Sequence, residues 1–192
     1  MVLTIGVDVG GTKVAAGVVD EHGRIIEKLK RTTPAASPAR TAEVIGDVVA
    51  ELRGRHRAEA VGIGAAGFVD GTRSTVLFAP NLAWRDEPVQ QQIEDRVGLP
   101  VVVENDANAA AWAEFTLGAA RGHQDVVLIT VGTGIGGGII INGELAAHKI
   151  AHLNAFIRSP KASLSPLFLA KAKWGAGAPH LRRFCLRFRT SP

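Results

Sequence analysis

The chain has 192 residues, 46% of them hydrophobic, enough for one or two domains with a buried core. A single cysteine, Cys185, excludes an internal disulfide and a cysteine-rich zinc site, and fits a reducing compartment. The net charge of +4 is unevenly spread: nine of the 22 lysines and arginines follow Glu144, after which no acid occurs, leaving 13 bases against 18 acids in residues 1–144, a net of −5.

No basic region followed by an apolar core opens the chain, so no secretory signal is read. No stretch reaches the roughly 20 apolar residues of a spanning helix. The expectation is a soluble cytoplasmic protein with no membrane partner.

In chain order, β-rich runs cover 4–9, 14–20 and 24–32, with Glu21-His22-Gly23 as a hairpin turn between the last two. Pro34 and Pro38 break the pattern. Val44, Ile45, Val48, Val49 and Leu52 then recur at helical spacing, predicting a helix over 39–57 that ends near Gly54. Residues 60–71 read as a buried strand entering a glycine-bearing loop, where small side chains let another backbone or a ligand come close. Residues 79–84 form a loop carrying Trp84, an aromatic suited to packing or to stacking on a ligand. A helix over 87–97 is stopped by Gly98 and Pro100. A strand over 99–104 leads into a helix capped by Asn105 or Asp106 and running to about 117. After a linker at 118–124, a strand, a glycine cluster and a second strand follow. This order predicts an α/β domain, and the return of a strand–glycine–strand unit hints at two related lobes.

Three motifs carry chemistry. In Asp8-Val9-Gly10-Gly11-Thr12-Lys13, adjacent glycines between strands let backbone amides converge on an anion. Thr12 adds a hydroxyl, Lys13 a cation, and Asp8 a carboxylate for magnesium through water. An ordinary Gly-Gly hairpin turn has the same sequence. Gly132-Thr133-Gly134-Ile135-Gly136-Gly137 matches G-x-G-x-x-G. The dinucleotide reading, however, needs a helix immediately afterwards, and 138–143 reads as strand and turn. Neither glycine cluster has the P-loop spacing. What remains is a phosphate-binding β-turn with Thr133 as a donor. In Glu104-Asn105-Asp106-Ala107-Asn108, a carboxylate stands at a strand-to-helix junction, where ligands of α/β folds collect. It can take a proton from an alcohol attacking phosphorus, or the Asn and Asp can simply cap the helix.

Together with Gly64-Ala65-Ala66-Gly67-Phe68-Val69-Asp70 and Asn81-Leu82-Ala83-Trp84, these motifs resemble, over residues 2 to about 146, the ROK family of sugar kinases. The likeness is above all to its bacterial glucokinases. It implies an actin-like ATPase (ribonuclease H-like) α/β fold and ATP-dependent phosphorylation of a hexose, glucose first, with ATP and Mg2+ required. It implies a first phosphate loop at Gly10, Gly11, Thr12 and Lys13 with Asp8 beside it, and a second at Thr133 and Gly134. Asp106 becomes the base for the sugar's 6-hydroxyl, and Gly67, Asn81, Asn105 and Asp106 line the sugar site. Side-chain amides and carboxylates suit that task because they pair neighbouring hydroxyls. Kinases for fructose, N-acetylglucosamine or N-acetylmannosamine, and a non-catalytic sugar or nucleotide binder, stay open. The family's repressors carry a DNA-reading head before the first phosphate loop, for which the sequence before Asp8 leaves no room, so no nucleic-acid partner is expected. Family members are commonly dimers or tetramers, so a homo-oligomer is among the implied states.

The resemblance stops after Gly143-Glu144-Leu145. The family's Glu-x-Gly-His segment and three-cysteine cluster, which supply a sugar contact and a zinc site, do not follow, so zinc is implied by the family but its ligands are missing. The expected organisation is an N-terminal lobe at 1–118, the first strands of a second lobe at 119–146, and a basic tail at 147–192 foreign to the family. Loss of the motifs coincides with the charge break, as a frameshift or disrupted gene would produce, and weak or no activity is the expectation.

Overall fold

The computed structural model describes residues 2–131, 135–146 and 182–187, and divides into two compact units between Asp106 and Ala107. The division falls at the start of a helix rather than in the 118–124 linker.

The first unit begins with β1 (Leu3–Val9), whose alternation buries Leu3, Ile5, Val7 and Val9 and turns Thr4, Gly6 and Asp8 to the other face. Strand β2 (Lys13–Asp20) pairs antiparallel with β1, and β3 (Ile25–Thr32) with β2. The β2–β3 turn places Gly23 at φ 77°, a conformation glycine adopts without strain. Asp20 braces that turn, accepting from the backbone amides of His22 and Arg24 at 2.9 Å and from Arg24 Nε at 2.7 Å. Burial alone would raise the Asp20 carboxyl, but these donors hold it below its ordinary value.

Helix α1 (Pro38–Arg55) starts where Ser37 Oγ accepts from the Arg40 amide at 3.3 Å, with Pro38 suited to the first turn. Gly54 lies inside the helix instead of ending it; the stop comes at His56, whose backbone turns extended. Strand β4 (Ala58–Ala65) then runs parallel to β1. Three short strands follow, β5 (Phe68–Val69), β6 (Val76–Phe78) and β7 (Arg85–Glu87), forming a small antiparallel sheet that no sequence period announced. Helix α2 (Val89–Val97) ends at Gly98 in the left-handed conformation, φ 62°. Strand β8 (Val101–Asn105) runs parallel to β4, completing the order β3-β2-β1-β4-β8.

The core lies on one face of that sheet, where Ile5, Val7 and Ile63 meet Ile45, Val48 and Leu52 of α1 and Ile93 of α2. Each such burial contributes about 1.5–3 kcal/mol. Trp84, 1% exposed, belongs to this core and so packs instead of facing a ligand. The opposite face carries a run of glycines, Gly6, Gly62 and Gly64, beside Asp8.

The second unit takes α3 (Asp106–Thr116) after its first residue, then β9 (Val126–Val131), β10 (Ile135–Ile141) and β11 (Glu144–Leu145). A further strand, β12 (Arg182–Arg187), pairs antiparallel with β9, giving the order β11-β10-β9-β12. The sequence shows no period in that segment; a sheet edge supplies the pairing. Val126, Leu128 and Ile140 are buried, so this face of the hairpin is covered. Gly138 explains the close fit of α3: a methyl group there would stand 2.5 Å from Ala111 Cβ and 2.7 Å from the Ala107 carbonyl oxygen. Among the described residues no helix is long and apolar enough to cross a membrane.

Candidate active site

The expected site residues of the first unit gather at the C-terminal ends of the parallel strands β1, β4 and β8. The turn between β1 and β2 is closed by the Gly10 amide donating to the Lys13 carbonyl at 3.0 Å. Thr33 clamps it from behind: its Oγ1 donates to the Gly10 carbonyl at 2.7 Å and its amide to the Thr12 carbonyl at 3.2 Å. Thr12 and Lys13 stay exposed, as does Asp8 at the end of β1. Gly11 has no space for a side chain, because a Cβ would lie 2.7 Å from the Asn81 carbonyl oxygen and 2.8 Å from Asn81 Cβ. The glycine turn and the 79–84 loop therefore touch, bringing Asn81 to the anion-binding candidate.

Gly67 is equally constrained. A Cβ there would meet the Phe78 carbonyl oxygen at 2.6 Å and Ala79 Cβ at 2.9 Å. Its own carbonyl accepts from Asn105 Nδ2 at 2.9 Å, and the same amide donates to Asp106 Oδ1 at 3.2 Å. One side-chain amide thus ties Gly67 to the carboxylate that opens α3. Asp106 is exposed, and its Cα lies 3.8 Å from the point where a Gly64 side chain would begin. Gly64 stands in register with Asp8 on β1 and Glu104 on β8. Gly64 thereby leaves room for the backbone of Asp106 beside β4.

The turn at 70–75 is a feature the sequence did not announce. Asp70 accepts from the amides of Ser74 and Thr75 at 2.9 and 3.0 Å and from the Thr72 and Ser74 hydroxyls. Burial pushes its carboxyl up, but these donors together hold it far below the usual carboxylate range. The D-x-T-x-S pattern of the turn was the available signal, since Asp favours such local bonds.

Thr133 and Gly134 lie outside the described residues. Their flanks pair as Ile135↔Val131 in a β9–β10 hairpin, which agrees with a turn between strands and not with a strand-to-helix dinucleotide fingerprint. Among the described residues no group of three or more His, Cys, Asp or Glu side chains could hold a metal ion. Magnesium carried on phosphates needs a single exposed carboxylate at the phosphate loop, such as that of Asp8.

An α/β unit with a glycine turn on its first hairpin and an Asn-Asp pair at the end of its last parallel strand is the frame of an actin-like ATPase. The chain belongs to the ROK family, whose model matches residues 4–149. It is 58% identical over 145 residues to the glucokinase of Streptomyces coelicolor, an alignment covering 76% of this chain and 45% of that protein. Among solved structures, a ROK family glucokinase from Streptomyces griseus in complex with glucose and AMPPNP is 60% identical with a TM-score of 0.70, over 74% of this chain and 46% of that one. A ROK hexokinase from Thermus thermophilus is 40% identical with a TM-score of 0.66, over 74% and 48%. The chain therefore spans just under half the length of these relatives.

Proposed function

We propose that this chain carries the sugar-holding half of an ATP-dependent hexose kinase site, with glucose as the sugar. The observation that carries the reading is the Asn105 amide joined to both the Gly67 carbonyl and the Asp106 carboxylate. It sits in the same unit as a glycine turn touching Asn81. The glucose and AMPPNP bound by the Streptomyces griseus relative support it.

In this reading Gly67, Asn81, Asn105 and Asp106 pair the sugar's hydroxyls. Asp106 takes the proton of the 6-hydroxyl as that oxygen attacks the γ-phosphorus of ATP. The bond from the γ-phosphorus to its bridging oxygen breaks and ADP leaves. The loop of Gly10, Gly11, Thr12 and Lys13 receives phosphate oxygens through donors other than the Gly10 amide, which closes the turn on the Lys13 carbonyl, and Thr133 and Gly134 serve the same purpose from the second hairpin. Magnesium, held through Asp8, supplies charge neutralisation on the phosphates when bound. The need for ATP implies a cytoplasmic location.

The test is calorimetry with glucose, followed by a coupled assay with glucose and MgATP, on the chain and on Asp106→Asn. The parent chain should show weak or no turnover; turnover above the assay floor should fall about 100- to 10,000-fold in the variant while glucose affinity stays within a few-fold. Equal turnover above that floor in both proteins removes Asp106 from the role of base. Parallel titrations with fructose, N-acetylglucosamine and N-acetylmannosamine identify the preferred sugar; tighter binding of one of these displaces glucose.

A further inference from the structure

We infer, on the reading of Asn105 and Asp106 proposed above, that Arg73 is a positioning residue: through the buried carboxylate of Glu104 it fixes the backbone that presents the Asn105–Asp106 pair.

Strand β8 is the outer strand of the five-stranded sheet. Its outward amides at 101, 103 and 105 have no strand to bond, and bare strand edges are costly and prone to stray pairing. Each is met individually. The Val101 amide donates to Glu94 Oε1 at 2.9 Å, and the Val103 amide donates to the Arg73 carbonyl at 2.9 Å. The Asn105 amide donates to Oε1 of its neighbour Glu104 at 2.9 Å. The last of these is the link to the site, because it sets the peptide from which the Asn105 side chain reaches Gly67 and Asp106.

Glu104 is only 7% exposed. A carboxylate so buried needs a cationic or strongly donating partner to stay in place. Arg73 Nε donates to its other oxygen, Oε2, at 3.0 Å. Arg73 is in turn held by the 70–75 turn. Its amide donates to the Asp70 carbonyl at 3.1 Å and its carbonyl receives the Val103 amide. Its φ is 61°, a left-handed conformation that non-glycine residues adopt only when their surroundings impose it. The line thus runs from the Asp70 turn through Arg73 and Glu104 to the Asn105 amide, all within the first unit.

Without the guanidinium, the Glu104 carboxylate loses the donor on Oε2 and swings toward solvent. The Asn105 amide then loses its acceptor and the side chain its aim at the Gly67 carbonyl. A role confined to stability would lower the melting temperature and spare these signals in the folded protein.

The test uses the full chain, labelled with 15N, as Arg73→Ala, Arg73→Gln and Arg73→Lys. Read-outs are hydrogen exchange of the Asn105 backbone amide, the Asn105 side-chain amide resonances, and glucose affinity. In Arg73→Ala the Asn105 amide should exchange about tenfold faster or more, with shifted side-chain resonances and glucose binding weaker by a similar factor. Arg73→Lys should restore most of each. Unchanged exchange and resonances in Arg73→Ala overturn the inference. Should that variant fail to fold, Arg73→Gln against Arg73→Lys carries the test, and identical values for the two overturn it. If glucose does not bind the parent chain while Asn105 still responds to Arg73 with lysine rescue, the positioning role stands and the sugar reading falls. If glucose binds and Asn105 does not respond, the reverse holds.

Discussion

Replacing Gly67 with alanine tests the close approach on which the sugar-site reading depends. The new methyl group would begin 2.6 Å from the Phe78 carbonyl oxygen, 2.9 Å from Ala79 Cβ and 3.1 Å from Ala79 Cα. Comfortable non-bonded carbon contacts lie at about 3.5–4.0 Å, so the main chain of β6 must retreat by several tenths of an ångström or more. Two of the three obstructing atoms are backbone, and no side-chain rotation relieves them. Overpacking of this kind costs about 1–3 kcal/mol. With a urea slope of about 1–3 kcal/mol/M, the unfolding midpoint should fall by roughly 1 M. The Gly67 carbonyl must also move, stretching its 2.9 Å bond from Asn105, so glucose binding should weaken by about tenfold in the protein that remains folded. Gly62→Ala is the control, since nothing lies within 4 Å of its new methyl group, and it should change stability by no more than about 0.5 kcal/mol. Equal midpoints and equal glucose affinities for the two variants would refute the reasoning.

Gly138→Ala should destabilise the second unit by about 1–3 kcal/mol, because its methyl group collides with Ala111 and the Ala107 carbonyl; hydrogen exchange in β10 measures this, and unchanged protection contradicts it. Glu27 accepts from His56 Nε2 at 2.7 Å and from Arg55, and these bonds outweigh burial to hold its carboxyl below the ordinary 4.5. Its folded value is depressed, so its contribution to stability is complete above 4.5 and is lost as pH falls through the lower folded value. The urea midpoint of Glu27→Gln should therefore lie below that of the parent at about pH 6 and approach it near about pH 3; a gap independent of pH contradicts the assignment.

The long elements were legible in the sequence because their periods are strong. Alternation in β1 and helical spacing of Ile45, Val48, Val49 and Leu52 reflect one buried face each. The small sheet β5–β7 was not, because strands of two or three residues set no period. It brings Gly67 close against Phe78 and Ala79, a contact made only by the folded chain. Trp84 offered a ligand-stacking face on paper, yet burial decides for the core. Of the site, residue types and junctions were readable: Gly11, Gly67, Asn105 and Asp106 stand at turns and strand ends that composition marks. The partner of Glu104 was not, since Arg73 lies 31 positions away and meets it only through the 70–75 turn. The glycine run after β9 read as one phosphate turn, whereas Gly138 serves the packing of α3, a use invisible without knowing which helix lies against it.

Calorimetric titration of glucose into the folded chain, beside Asn105→Ala, tests the central claim most directly. Saturable binding to the parent chain, weakened about tenfold or more when the Asn105 amide is removed, is the predicted result. Absence of glucose binding to folded parent protein, or equal affinity in the variant, would contradict the placement of the sugar at Gly67, Asn105 and Asp106.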